Sequence, residues 1–198
     1  MTRSSSPARA GLPLLLASAL LAGCAAAPLG QPIVGYTCCN LRAQGGWVSS
    51  NNVQGGDLIP AGTPVRLTSI KRKYYLYGLA GTQEIAFRDD AAQSEAQTLR
   101  WIRQVVVPQD PQPLLASWPK EVQTAVATVR VFPGMTREQV AMAIGHPSPT
   151  DTPDLAASTW RYWTPAEDQP VDLRFGEDGR LADITGKPSA VRTVALPR

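Results

Sequence analysis

A proline-rich segment, residues 108–113, divides this chain into two parts with different hydrophobic patterns. The segment contains three prolines in six residues, and proline interrupts both helices and central strands because its nitrogen carries no hydrogen. Residues 33–107 consist of short extended runs separated by turn residues, whereas residues 114–188 have the pattern of helices followed by strands. We therefore expect two small domains joined by this linker.

The first part, residues 33–107, is predicted to be a small, mainly-β domain. Apolar and polar residues alternate in 65–70 and 84–88, and glycine- or proline-containing turns separate such runs. Residues 94–106 then show apolar residues at near-helical spacing, which predicts a closing helix. The segment Pro60 to Val65 is similar to bacterial SH3-like domains, a resemblance that implies a small antiparallel sheet or a partly open barrel.

One helix of the second part has unusually clear boundaries. Thr136 and Gln139 have the spacing of a capping box, in which each side chain satisfies a backbone N–H at the helix start. Gly145 can end a helix in a left-handed conformation, and Pro147 prevents the helix from resuming. The sequence therefore predicts a helix over residues 137–144.

A further helix precedes this one, and three strands follow it. Pro119 suits the first position of the earlier helix. The order of elements predicts a two-layer αα-βββ sandwich over residues 114–188, so the fold class is α+β with a small mainly-β domain in front. Residues 189–198 are expected to form a loose tail. The predicted strands are residues 159–163, 171–175 and 181–185, with a hairpin turn at 176–179.

A set of residues across the second part follows the order found in a known family. These residues are Gly134, Met135, Thr136, Gln139, Val140, Ala141, Gly145, Pro147, Trp160, Tyr162, Leu173, Arg174, Phe175, the turn 176–179, Ile184, Lys187 and Pro188. Over about residues 129–188 the chain thereby resembles the SmpA/OmlA family, the BamE-like lipoproteins. The resemblance implies an αα-βββ domain with an accessory role in the complex that inserts β-barrel proteins into the outer membrane. A typical member carries little before this domain, whereas this chain adds a whole module.

The first 23 residues have the features of a secretory signal. Arg3 and Arg9 form a positive start, a short run rich in Leu and Ala follows from residue 12 to 21, and two small residues close it. The apolar run is too short to remain as a transmembrane helix. We therefore expect residues 1–23 to be removed on export.

The end of that signal, Leu21-Ala22-Gly23-Cys24, resembles the lipobox of bacterial lipoproteins. The resemblance implies cleavage before Cys24 and a covalent lipid on its thiol; the alternative is an ordinary signal peptide with Cys24 incidental. Each buried methylene of the acyl chains contributes roughly 0.8 kcal/mol, so such an anchor is effectively permanent. In such lipoproteins of Gram-negative bacteria, an aspartate after the cysteine favours retention in the inner membrane. The residue here is Ala25, so the resemblance implies the periplasmic face of the outer membrane. Residues 24–32 are then predicted to be a flexible, lipidated tether.

Charge excludes one class of partner. Removing residues 1–23 takes away two arginines and no acidic residue, which reduces the formal net charge from +3 to +1. A chain this close to neutrality lacks the basic field that nucleic-acid binding requires. The partners we expect are envelope proteins, among which the β-barrel assembly machinery is the candidate, and the membrane through the lipid anchor.

The remaining cysteines, Cys38 and Cys39, are neighbours in the chain. The oxidising periplasm favours disulfides, although adjacent cysteines fall outside the usual disulfide geometry. A vicinal bridge and two thiols packed as small apolar groups both stay open, with a redox-active pair as a further alternative. Neither cysteine has a neighbouring base in the sequence, so we expect them to do no essential chemistry.

Catalytic chemistry is poorly supported. His146 is the sole histidine, and it is expected to lie far from Cys38 and Cys39, in the other domain. No phosphate-binding loop, two-histidine metal motif or dinucleotide fingerprint occurs. We therefore predict a protein that is not an enzyme and has no metal and no cofactor apart from the lipid on Cys24.

The function predicted from these features is binding. Arg161 and Trp163 alternate with apolar neighbours on one strand, so they share a face that is a candidate partner surface. We expect a non-enzymatic outer-membrane lipoprotein that acts as an accessory factor in envelope biogenesis. The alternatives are a peptidoglycan-binding module, suggested by the SH3-like segment and the basic turn 71–73, and a periplasmic inhibitor.

Overall fold

The computed structural model describes residues 26–165 and 169–197, and this part of the chain is mostly β. It contains eleven strands and five helices. The strands are β1 (Ala27–Thr37), β2 (Leu41–Gln44), β3 (Trp47–Ser49), β4 (Asp57–Ile59), β5 (Pro64–Lys71), β6 (Tyr75–Ala80), β7 (Gln83–Arg88), β8 (Val106–Val107), β9 (Thr159–Trp163), β10 (Pro170–Phe175) and β11 (Leu181–Gly186). The helices are α1 (Glu95–Val105), α2 (Gln112–Ser117), α3 (Lys120–Ala127), α4 (Arg137–Ile144) and α5 (Pro188–Val194). None of the described helices is long and apolar enough to cross a membrane.

The larger sheet has eight strands in the order β4-β2-β3-β7-β6-β5-β1-β8. Its neighbours pair antiparallel except β3 and β7, which run parallel. Alternate residues of the strands point to one face, where Leu67, Leu76 and Phe87 are fully buried together with Ile102 of α1. Helix α1 therefore closes one face of this sheet, as the sequence predicts, and Ser94 caps its first turn.

The smaller sheet, in the order β11-β10-β9, is antiparallel and buries one face against α3, α4 and α5. Tyr162 and Leu173 on that face are completely buried, as are Met135 and Val140 from the helical side. The strand alternation predicted for residues 159–163 and 171–175 is confirmed.

The predicted fold class is wrong. The sequence predicts a two-layer αα-βββ sandwich that follows a small β domain. The described chain is instead mostly β, and its largest part is a mixed eight-stranded sheet. That sheet includes a parallel pair, an extension of β1 back to Ala27 and the added strand β8, none of which the sequence pattern indicated. The apolar core around the smaller sheet also takes in Ala61 from the first part of the chain. The two parts are thus packed against each other.

Both ends of the described chain are more ordered than predicted. Strand β1 starts at Ala27, inside the expected tether, and pairs with β5. Residues 189–194 of the expected loose tail belong to α5, where Ala190 and Val194 are buried. The Leu196 N–H then donates to the Val131 carbonyl at 2.8 Å. Ala190 and Val194 enter the core of the smaller sheet, a contact that the tail's own sequence does not indicate.

The capping box of α4 is confirmed. The Gln139 N–H donates to Thr136 Oγ1 at 3.3 Å, and the Thr136 N–H donates to Gln139 Oε1 at 2.9 Å. We expect Thr136→Ala to lower the free energy of unfolding by about 1 kcal/mol, because the first turn loses an acceptor for one N–H. Thr124→Ala is the matched control, since the exposed Thr124 hydroxyl donates only to the Lys120 carbonyl of its own helix. Equal urea midpoints for the two variants would contradict the prediction.

Candidate functional site

The structure places the predicted site residues that it describes in two separate regions. Cys24 lies outside the described residues. Arg161 and Trp163 do share the exposed face of the smaller sheet, but both are engaged within the chain. Arg161 makes two hydrogen bonds to Asp172, at 2.7 and 2.8 Å, and this partner raises the pKa of Arg161. Trp163 Nε1 donates to Asp151 at 2.9 Å. Their polar atoms are therefore already paired.

An aromatic cleft of about 730 Å³ opens on the larger sheet. Trp47 lies on β3, and its ring meets Tyr75 and Tyr77 of β6 edge-on, at centroid distances of 5.4 and 5.9 Å. Trp47 and Tyr77 are both opposite Ala86 on β7, the strand between them. The small alanine side chain allows the two large rings to contact each other above it. Trp47 is 39% exposed, so its ring is available to a ligand.

The rim of this aromatic cleft is cationic. It carries one carboxylate, that of Asp90, which is held by Ser49 and Arg88. Arg72 reaches the cleft from the β5–β6 turn, where it adopts a φ of 52°. The cationic side chains lining the cleft are Arg42, Lys71, Arg72 and Arg88.

Lys71 and Arg42 are the partly buried cations of the aromatic cleft, and Arg42 also has a buried atom, Nε, with no hydrogen-bond partner among the described residues. Burial, and to a lesser extent the charge of Arg130, lower the pKa of Arg42. Arg42 also lines the cleft, and a guanidinium is suited to an anionic ligand group.

A second cleft, of about 440 Å³, lies between the two parts of the chain. Cys38 and Cys39, which are joined by a disulfide, follow β1 and form one wall. His146, just after α4, forms part of another. The two Sγ atoms and a ring nitrogen of His146 all lie within 4.8 Å of one another. The expectation that His146 lies far from the cysteines is therefore wrong.

Three amide side chains of the first part hold the end of α4 in place. The last carbonyls of a helix have no partner within the helix. Asn40 Nδ2 donates to Ala143 at 3.0 Å, and Gln54 Nε2 donates to Ile144 at 3.0 Å. Asn52 Nδ2 donates to the carbonyls of Ile144 and His146, at 2.9 and 2.6 Å. These contacts fix His146 beside the cysteines.

His146 is partly buried. Burial lowers the pKa of His146 below its usual value, so the ring is neutral at pH 7. Its Nδ1 atom is buried without a hydrogen-bond partner in the part of the chain that the structure describes. A neutral imidazole has one nitrogen lone pair free to accept a proton or bind a metal ion.

No family model, curated protein or solved structure matches this chain. The resemblance to the SmpA/OmlA lipoproteins therefore stays a prediction.

Sequence reasoning did not find either cleft. The sequence does not distinguish Trp47, Tyr75 and Tyr77 from core or strand-pair residues, because nothing in it indicates that β3 and β6 flank the same strand. The alternation of Tyr75 and Tyr77 across one intervening residue was the usable signal, since it places both rings on one face.

Proposed function

We propose that this chain is a lipid-anchored, non-enzymatic protein of the periplasmic face of the outer membrane that binds cell-wall glycan. The aromatic cleft with its cationic rim is the observation that carries the proposal. Ligand sites are typically concave and aromatic, with a few polar groups that fix orientation. The signal segment and Cys24 support the location.

The chemistry of peptidoglycan suits each part of this cleft. Sugar rings have C–H faces that pack on exposed aromatic rings such as Trp47. Their N-acetyl groups can pair with amide side chains, and Gln44 and Asn51 line the cleft. The carboxylates of the peptide stems are partners for the arginines that line the cleft, Arg42, Arg72 and Arg88.

Co-sedimentation with purified peptidoglycan tests the proposal. We expect the full chain, in detergent, to sediment with the polymer at low salt and less so at high salt, because part of the attraction is between charges. Trp47→Ala should weaken binding about 30-fold, or roughly 2 kcal/mol, as expected for a central aromatic contact.

Trp163→Ala is the matched control, because it removes a tryptophan from the other sheet. It should bind peptidoglycan like the unaltered chain. Absence of co-sedimentation at low salt, or equal binding by Trp47→Ala, would refute the glycan proposal.

Binding of an envelope protein is the second candidate function. The exposed face with Arg161 and Trp163 favours it, because these residue types dominate protein interfaces. Their pairing with Asp172 and Asp151 means that a partner would have to displace these contacts or bind around them. If an envelope protein co-purifies with the full chain and Trp163→Ala abolishes the association, this candidate replaces glycan binding.

A further inference from the structure

We propose that Cys38, Cys39 and His146 form a binding site for Cu(I) when the disulfide between the cysteines is reduced. This site is separate from the aromatic cleft and does not depend on glycan binding. The three residues come from both parts of the chain and meet in the second cleft.

The spacing of the donor atoms fits one metal ion. Metal–sulfur bonds are about 2.3 Å long and metal–nitrogen bonds about 2.0–2.1 Å, so a sulfur and a nitrogen ligand of the same ion are at most about 4.4 Å apart, and two sulfur ligands at most about 4.6 Å. The Sγ atoms of Cys38 and Cys39 and the His146 nitrogen lie within 4.8 Å of one another in the oxidised chain. The donor atoms therefore need only small movements once the sulfur–sulfur bond opens.

The donor set selects a soft ion. Two thiolates and one imidazole favour Cu(I) or zinc over hard cations such as magnesium. Structural zinc sites are almost always closed by four protein ligands, whereas the described residues bring three ligands together here. Cu(I) is satisfied by such a small set of soft ligands, so we assign it rather than zinc.

The surroundings also support a bound ion. Cys39 is 1% exposed, and its backbone neighbour Asn40 is anchored to the helices. Apolar side chains of the cleft, including Met142 and Trp160, limit access of water.

The reaction needs an external reductant. A dithiol reductant gives two electrons and two protons to the Cys38–Cys39 disulfide, which becomes two thiols while the reductant becomes a disulfide. Cu(I) then forms bonds to both sulfurs and to one nitrogen of His146. The two thiol protons pass to solvent, and no electron moves in this second step. Disulfide and metal site are thus mutually exclusive states of the same residues.

A competition experiment tests the proposal. The full chain, purified in detergent, is reduced with dithiothreitol, which is then removed under anaerobic conditions. Cu(I) is partitioned at pH 7 between the protein and the chromophoric chelator bathocuproine disulfonate. We expect the reduced chain to take one Cu(I) and the oxidised chain to take none.

Variants separate the ligands from the rest of the cleft. Cys38→Ser with Cys39→Ser should abolish competition with the chelator for Cu(I). His146→Gln should weaken Cu(I) binding by more than roughly 10- to 100-fold, the loss that is typical when a residue hydrogen-bonded to a metal ligand is replaced. Gln104→Ala is the control, since Gln104 is an exposed residue lining the same cleft. It should bind Cu(I) as the unaltered chain does.

X-ray absorption on the unaltered chain tests the site without any variant. We expect two sulfur scatterers and one nitrogen scatterer around the copper. No Cu(I) uptake by the reduced chain, tighter binding of Zn(II) than of Cu(I), or a coordination shell without nitrogen would each overturn the assignment.

Discussion

Replacing Asn40 by leucine should lower the free energy of unfolding by at least about 3 kcal/mol, since three buried backbone groups lose their partner. Asn40 Nδ2 donates to Val126 at 2.7 Å and to Ala143 at 3.0 Å, and Asn40 Oδ1 accepts from the Ala61 N–H at 3.0 Å. Leucine has nearly the same size but can neither donate nor accept. Removing one partner of a buried polar pair costs more than the hydrogen bond itself contributes.

Chemical denaturation followed by circular dichroism measures this effect. Asn51→Leu is the matched control, because Asn51 lies at the same junction but accepts a single long hydrogen bond, from Ser148 at 3.4 Å. We expect the control to change stability by less than about 1 kcal/mol. If both leucine variants unfold at the same urea concentration, Asn40 does not hold the two parts together.

The Asn40 variant also tests how the second cleft is built. Asn40 follows Cys39 directly, and its N–H donates to Met142 of α4 at 3.0 Å. Loss of the side-chain contacts should therefore loosen the cysteines relative to His146. We therefore expect the folded fraction of the Asn40→Leu variant to bind Cu(I) more weakly, although it retains Cys38, Cys39 and His146.

Local features of the fold followed from the sequence where the deciding contacts are local. Thr136 and Gln139 are three residues apart, so their capping box is visible in the sequence, and the structure contains it. The same holds for the turn after β10, where Gly179 adopts a positive φ of 75°. Such features require no knowledge of which elements pack together.

The contacts that build the clefts join residues far apart in the chain. Asn40 and Ala143 are separated by 103 positions, and Asn52 and His146 by 94. An asparagine in a loop has the same local pattern whether it faces water or caps a distant helix. The prolines at 108–113 predict a linker between two separate domains, and separate domains would not make these contacts with each other. In the structure, Gln112 of this linker donates to the Ala61 carbonyl at 2.6 Å.

Gly145→Val should cost about 3 kcal/mol or more, for two reasons that add. Gly145 has φ 78° and ψ 173°, a conformation that is open essentially to glycine alone and costs other residues about 1–3 kcal/mol. It is thus a helix stop with positive φ, as predicted, but with an extended ψ rather than the left-handed helical one. A Cβ atom at this position would also lie 2.7 Å from Asn52 Nδ2 and 3.2 Å from the Asn40 carbonyl oxygen.

Asn52 cannot move aside without loss, because its Nδ2 holds the carbonyls of Ile144 and His146. Gly134→Ala is the control for backbone strain alone, since Gly134 has φ 103° and a Cβ there would meet nothing within 4 Å. It should cost about 1 kcal/mol. An unchanged melting temperature for Gly145→Val would contradict both reasons.

A double-mutant cycle separates the two contributions at Gly145. We expect Gly145→Ala and Asn52→Ala each to destabilise the chain, and the double variant to cost less than the sum by about 1 kcal/mol or more. The reason is that the steric conflict requires both side chains, whereas the backbone strain at residue 145 does not involve Asn52. Costs that add fully would mean that the Asn52 side chain is not in contact with residue 145. In that case the backbone conformation of Gly145 alone would end α4, and the hydrogen bonds of the Asn52 amide would not position His146.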